Sequence, residues 1–272
     1  MRLSELTARL KGAGIENARD EARALFAHLG GYRREELIFS DPELSGEEIE
    51  EAAKRREARE PLQYIIGSVD FYRESYEVHP DCLIPRQDTE LLVDYAVRNI
   101  PEGECLLDLC TGSGCVAIST LKNTKGTRAV AIDISDAALR IAERNAERNG
   151  VCDRIAIKRC DVLAEEMTGE YFAVLSNPPY VTETAYSSLE PELYFEPRLA
   201  LVGGGEDGCE FYERITSVYK TKIKPNGFIA FEIGFDQGGC LRRIASAHGM
   251  ECEIIKDYSG NDRVAVLRQG HK

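Results

Sequence analysis

The sequence predicts an α/β fold: a seven-stranded, doubly wound sheet covered by helices on both faces, preceded by a small N-terminal helical bundle and a β-hairpin linker. Three observations predict it. From Pro101 onward, short apolar runs alternate with amphipathic segments of helical period. The first of those runs ends in a turn of small residues, Thr111-Gly112-Ser113-Gly114, that leads into a helix. The first sixty residues carry leucines and other apolar side chains at helical spacing.

In the N-terminal part, Leu3, Leu6 and Leu10 share one helix face, and Ala22, Leu25, Phe26 and Leu29 share another behind an Asn17 cap. Gly30-Gly31 and Asp41-Pro42 punctuate these helices, and Ser45 with Glu48 suits a capping box for a third. Tyr64 to Val78 is rich in β-branched and aromatic residues, with Arg73-Glu74-Ser75 as its turn. Strands are then predicted at 105–109, 129–133, 155–158, 173–176, 228–233, 251–255 and 264–267, with helices from Cys115 and over 135–149. The chain thus divides into a helical domain over 1–62, a hairpin linker over 63–82 and a sheet domain over 83–272. The irregular stretch from Val181 to Gly208 is long for a compact domain, and such loops line binding surfaces.

Composition excludes several function classes. At 272 residues and a net charge of −13, the chain has no Lys/Arg cluster of the kind that neutralises phosphates, so no direct nucleic-acid binding is expected. Residues 1–80 carry 17 acidic and 12 basic side chains, a net of −5. No apolar run approaches the roughly 20 residues of a membrane span, so no membrane partner is expected and the expected location is the cytoplasm. The nine cysteines form no Cys-x-x-Cys pair and are read as reduced, packed thiols. With His28, His79, His248 and His271 far apart in sequence, no metal site is expected.

Two places on the sheet carry chemistry. The turn Asp108-Leu109-Cys110-Thr111-Gly112-Ser113-Gly114 lets a ligand approach backbone N–H groups without meeting a Cβ. Gly112, Gly114 and Ala117 also satisfy the dinucleotide pattern, and Asp133 at the next strand end suits the ribose of either a nicotinamide cofactor or S-adenosylmethionine. Asp161 suits an adenine amino group, with Val162 beside the base, or else caps a local turn. The second place is Val174-Leu175-Ser176-Asn177-Pro178-Pro179-Tyr180, an apolar run that ends in an amide, two prolines and a ring. The prolines lack N–H groups and leave the ladder, so nearby carbonyls are held rigidly in a loop. Asn177 offers a side-chain acceptor and Tyr180 a flat face, a pairing suited to gripping a planar nitrogen. A hydride-transfer enzyme needs no such clamp, whereas methyl transfer to a weakly nucleophilic amide nitrogen does.

These segments together resemble the HemK-type glutamine methyltransferases that modify peptide chain release factors. The similarity covers nearly the whole chain. Leu83-Ile84-Pro85-Arg86-Gln87-Asp88-Thr89-Glu90 follows the family's L-I-P-R-P-D-T-E with Gln87 for proline, and the glycine turn follows D-L-G-T-G-S-G with Cys110 for the first glycine. Asn177-Pro178-Pro179-Tyr180 matches outright, as do Glu196-Pro197, Gly204-Gly205-Glu206-Asp207-Gly208, Gln237 and the segment from Asp257 to Arg263. The resemblance implies a Rossmann-like, class I S-adenosylmethionine-dependent methyltransferase domain. It also implies a release factor as protein substrate, docked by the helical region and methylated on the glutamine of its Gly-Gly-Gln motif. By matching position, Cys110, Thr111, Gly112, Ser113, Gly114, Asp133, Val162 and Asn177 are expected to contact the cofactor, with Asp161 added from its place after the third strand. Asn177, Pro178, Pro179 and Tyr180 hold the substrate glutamine, and Asn177, Pro178 and Tyr180 carry the catalysis. Three alternatives stay open: an adenine or cytosine amino methyltransferase, an NAD-dependent oxidoreductase and a non-catalytic adaptor, the last supported by Cys110. A positive φ at Cys110 would be costly for a residue with a Cβ, and cofactor affinity would then drop.

Overall fold

A computed structural model describes residues 1–270, so His271 lies outside the described residues. The chain separates into two compact units, one comprising 1–68 with 190–195 and the other 69–189 with 196–270.

The first unit is built from α1 (Leu3–Gly12), α2 (Ala18–Gly30), α3 (Glu47–Glu57) and α4 (Leu62–Ile66). Its core takes the residues expected from periodicity: Leu6, Leu10, Ala22, Leu25 and Phe26 are fully buried, and Leu29 packs against them partly exposed. Each fully buried leucine or phenylalanine contributes about 1.5–3 kcal/mol. Two caps differ from expectation. Asn17 stands at the N-cap of α2 without a side-chain bond, and α3 starts two residues beyond Ser45, with Gly46 at its N-cap. Gly46 has φ +128°, which takes the chain away from the geometry a Ser45 cap requires. Buried Arg56 is matched within this unit by Glu21 at 2.5 Å and Glu192 at 3.1 Å.

The second unit opens with a hairpin of β1 (Ser68–Phe71) and β2 (Glu74–Glu77). Its turn is Tyr72-Arg73, beginning one residue ahead of the expected Arg73-Glu74-Ser75. Both have positive φ, +47° and +77°, the signature of a tight primed turn whose twist suits the strands. The usual Asn-Gly signal is missing, which hid the turn. Tyr72 is held by its hydroxyl donating to Asp94 at 2.9 Å and its N–H donating to Glu90 at 2.9 Å.

The seven-stranded sheet comprises β3 (Cys105–Leu109), β4 (Arg128–Asp133), β5 (Ile155–Arg159), β6 (Tyr171–Ser176), β7 (Ile223–Glu232), β8 (Met250–Lys256) and β9 (Asp262–Gln269), in spatial order 5-4-3-6-7-9-8. All neighbours are parallel except β7–β9 and β9–β8. Along each strand alternate residues face opposite layers. Leu106, Leu175 and Ala230 meet α5 (Glu90–Asn99) and α6 (Cys115–Lys122), while Leu107, Leu109, Val174 and Phe231 meet α9 (Glu210–Tyr219) and α10 (Gly238–Ala247). Between β4 and β5 runs α7 (Asp136–Arg148), within the helix expected over 135–149 and capped by the Ser135 side chain, which accepts from the Ala138 N–H. The 181–208 stretch holds only the four-residue α8 (Glu183–Tyr186) and short 3₁₀ turns. The order reverses between β3 and β6, and their carboxyl ends therefore emerge side by side, where ligands bind in such sheets.

Arg73 has a left-handed backbone and no side-chain reason for it, so Arg73→Gly is expected to raise stability by about 0.5–1 kcal/mol, read as a melting midpoint about 1–4 °C higher. A lower midpoint would contradict the turn assignment.

Candidate active site

The pairing of Leu109 with Ser176 sets the site, because the next residues on the two strands are Cys110 and Asn177. Ser176 Oγ donates to the Leu109 carbonyl at 2.7 Å and ties the two exits together. The glycine turn is shaped from below by buried acids. Asp108, 1% exposed, accepts from Thr111 Oγ1 at 2.5 Å and from the Ala117 N–H at 3.2 Å. Burial pushes its carboxyl up to about 7, against the pull of those two donors. Asp133 accepts from the Gly112 N–H at 2.9 Å and the Ser135 N–H at 3.0 Å, and burial raises its carboxyl too.

Two cavities meet at this edge. The larger is lined by Cys110, Gly112, Asp133, Asp161, Val162, Asn177 and Pro179, with apolar walls from Leu163, Leu199 and Phe211. A smaller one is lined by Arg86, Thr89, Asp108, Thr111, Gly112, Ser113 and Asn177. Cys110, Gly112, Leu83 and Asn177 border both, so a ligand lying across them passes Asn177. Tyr180 lies on the far side of the Asn-Pro-Pro strip, in a third concavity with Phe235, Gln237 and Arg263.

The strip itself is braced from the 198–208 loop. The Tyr180 and Val181 N–H groups donate to the Leu201 carbonyl at 3.2 and 2.9 Å, and Gln237 Nε2 donates to the Tyr180 carbonyl at 3.3 Å. Gly203 permits the approach, since a Cβ there would stand 2.6 Å from the Tyr180 Cα. Behind the strip, Asn177 Nδ2 donates to Thr89 Oγ1 at 3.2 Å, Thr89 Oγ1 donates to Glu232, and the Tyr180 hydroxyl donates to Glu232 at 3.3 Å. Glu196, 4% exposed, accepts from the Ile84 N–H at 3.0 Å and pairs with Arg86, which fixes the segment leading into Thr89.

Of the residues expected to contact a cofactor, Cys110, Gly112, Asp133, Asp161, Val162 and Asn177 border the larger cavity, and Thr111 and Ser113 the smaller. Gly114 borders neither. Its φ is +82°, and a Cβ would stand 2.8 Å from Ile118 and 3.2 Å from Ala142, so it serves helix packing. Pro178 is buried within the strip and borders neither cavity. Asp161 also makes a local turn, its carboxylate accepting from the Leu163 N–H at 3.0 Å. Phe211, Leu199 and Glu232 carried no sequence signal, because each reaches the site only through tertiary packing. Cys110 has φ +58°, so the substitution for glycine does fall in the left-handed region, at about 1–2 kcal/mol of strain.

Cys209 and Cys240, 31 residues apart in sequence, bring their sulfurs together beside Asp207, a juxtaposition no local motif reveals. The two sulfurs and an Asp207 carboxylate oxygen lie within mutual reach. No helix among the described residues is long and apolar enough to cross a membrane.

Residues 3–67 match the family model described as the PrmC N-terminal domain, and residues 87–206 the methyltransferase small domain. A release factor glutamine methyltransferase of Geobacter sulfurreducens is 35% identical over 263 residues, 94% of this chain and 92% of that protein. One from Bacteroides thetaiotaomicron is 39% identical over 226 residues, 82% and 81% of the two chains. The solved ribosomal protein L11 methylase from Lactobacillus delbrueckii subsp. bulgaricus, 19% identical, superposes with a TM-score of 0.52 over 68% of this chain and 81% of that one, a likeness of fold. Fold and strand-end site together define a class I methyltransferase. More particularly, the chain belongs to the release factor glutamine methyltransferase family.

Two measurements check this geometry. At an ordinary position alanine is more stable than glycine by about 0.5–1 kcal/mol; at Cys110 the order is expected to reverse, Cys110→Gly melting above Cys110→Ala. The Asp108 carboxyl keeps its proton in the folded chain up to about pH 7, where the unfolded chain has released it. Its contribution to stability is therefore full below about pH 4 and lost as pH rises through 7. The unfolding free energy of Asp108→Asn minus that of the parent is expected to climb with pH across that window, at up to about 1.4 kcal/mol per pH unit. A difference independent of pH would contradict the buried carboxyl.

Proposed function

We propose that this chain transfers a methyl group from S-adenosylmethionine to the side-chain amide nitrogen of the glutamine in the Gly-Gly-Gln motif of a peptide chain release factor. The observation that carries the reading is the position of Asn177, on a rigid strip at the junction of the two cavities. The donor set fits the cofactor. Asp133 retains acceptor capacity on both oxygens for ribose hydroxyls, and Asp161 Oδ2 has the chemistry to accept from an adenine amino group between Val162, Leu163 and Phe211. The smaller cavity, with backbone from Thr111 to Ser113, suits the amino-acid end. When bound, the cofactor supplies an electrophilic methyl group on a sulfonium.

The chain's own residues bind, orient and dry the acceptor. Asn177 Oδ1 and a carbonyl of the proline strip accept from the two N–H groups of the substrate carboxamide, which aims the nitrogen lone pair at the cofactor. As the new bond forms, positive charge grows on that nitrogen and the same acceptors strengthen. No strong base is needed, because the proton becomes acidic only then. Burial raises the Tyr180 phenol, so it stays protonated and acts as a ring and hydroxyl rather than a base. The helical region, whose residues 3–67 match the PrmC N-terminal domain, docks the release factor, and its net negative balance suits a protein over a nucleic acid.

Incubation with labelled S-adenosylmethionine and three acceptors tests the reading: release factor, its Gln-substituted form, and DNA. Label is expected on the first alone; label on DNA, or equal label on both proteins, would overturn it. Asn177→Ala is expected to lower kcat at least about 10²–10³-fold while the fold persists. Turnover like the parent's would remove the clamp.

A further inference from the structure

The clamp has a direction problem. The oxygen and nitrogen ends of an asparagine side chain occupy nearly the same space, yet only the oxygen accepts from a substrate N–H. A carboxamide turned over would present N–H to N–H and leave the acceptor glutamine unheld. Something outside the clamp must choose the end.

Glu232 is a buried acid at the site that the methyl transfer itself does not use. It ends β7, is 2% exposed, and accepts from two hydroxyls, Thr89 Oγ1 on one oxygen and Tyr180 on the other at 3.3 Å. Burial raises the Glu232 carboxyl above its ordinary range, and the two hydroxyl donors and the charge of nearby Arg263 pull the other way. Thr89, also 2% exposed, has one hydroxyl proton, and its Oγ1 donates it to a Glu232 oxygen. The Thr89 lone pairs are what remain for Asn177, whose Nδ2 donates to them at 3.2 Å. With Nδ2 engaged behind the strip, Oδ1 is the end left for the reacting centre. From this proton order we propose that Glu232 and Thr89 are positioning residues, a relay that fixes which end of the Asn177 carboxamide faces the substrate amide. The relay rests on the function proposed above and deepens it: an acceptor end so fixed selects substrates that carry N–H at the reacting atom.

Three substitutions test it in the full chain, with release factor as acceptor and S-adenosylmethionine affinity measured in parallel by calorimetry. Glu232→Gln keeps the volume but has an acceptor oxygen at one end only, so it no longer accepts from both Thr89 and Tyr180 as the acid does, and the proton order at Thr89 is no longer fixed. Thr89→Val removes the hydroxyl. Thr89→Ser keeps it. The expected result is a kcat about 10–100-fold lower for Glu232→Gln and Thr89→Val, with cofactor Kd within about threefold of the parent and Thr89→Ser restoring turnover to within about threefold. Glu232→Gln turning over at the parental rate would overturn the relay. So would losses in which kcat, cofactor affinity and melting temperature fall together in both Glu232→Gln and Thr89→Val, the mark of a structural role alone. Absence of transfer by the unsubstituted chain would remove the proposed function; parental turnover in Glu232→Gln beside an active unsubstituted chain removes the relay only.

Discussion

The side-by-side exit of β3 and β6 at the carboxyl edge of the sheet is the constraint on which the site depends. Parallel pairing places Leu109 opposite Ser176, and one hydroxyl-to-carbonyl bond at 2.7 Å joins the two ends. Everything a ligand meets follows from that register. Asp108 and Gly112 belong to one exit, with Asp133 at the end of neighbouring β4, and the asparagine with its two prolines to the other. A slip of one residue on either strand would turn Cys110 and Asn177 to opposite faces.

Buried carboxylates do the holding. Asp108 and Asp133 grip the glycine turn through backbone and hydroxyl donors, Glu196 grips the segment before α5, and Glu232 grips Thr89 and Tyr180. Each is costly to desolvate, and each offsets that cost with donors that have one place to go. A chain with a strongly acidic surface therefore keeps its most constrained acids inside, at the places where loop geometry matters most. Arg263 links this interior to the surface, pairing with Asp88 and Asp257 at 3.2 Å each.

Much of this was legible in the sequence. The seven strands, α7 and the core of the N-terminal unit follow from periods of 2 and 3.6, which burial enforces on the chain. The turn after β3 and the acid that ends β4 were legible because small residues after a strand and an acid at the next strand end answer to steric and hydrogen-bonding needs that local sequence displays. What was hidden has physical reasons. The Tyr72-Arg73 turn uses left-handed backbone without glycine or asparagine, held by Asp94 and Glu90 far along the chain. Gly114 has a packing need that only the folded chain displays, since a Cβ there would meet Ile118 and Ala142. The approach of Cys209 to Cys240 and the reach of Phe211 and Glu232 depend on packing between distant elements, which no spacing rule encodes.

The most direct test of the central claim is a crystal structure of the chain with S-adenosylhomocysteine and a Gly-Gly-Gln peptide. The expected density places the adenine between Asp161 and Phe211, the sulfur beside Asn177, and the peptide carboxamide nitrogen within about 3.2 Å of Asn177 Oδ1. Density for the nucleoside outside the Cys110–Asn177 junction, or for a glutamine with its nitrogen turned from Asn177, would contradict it.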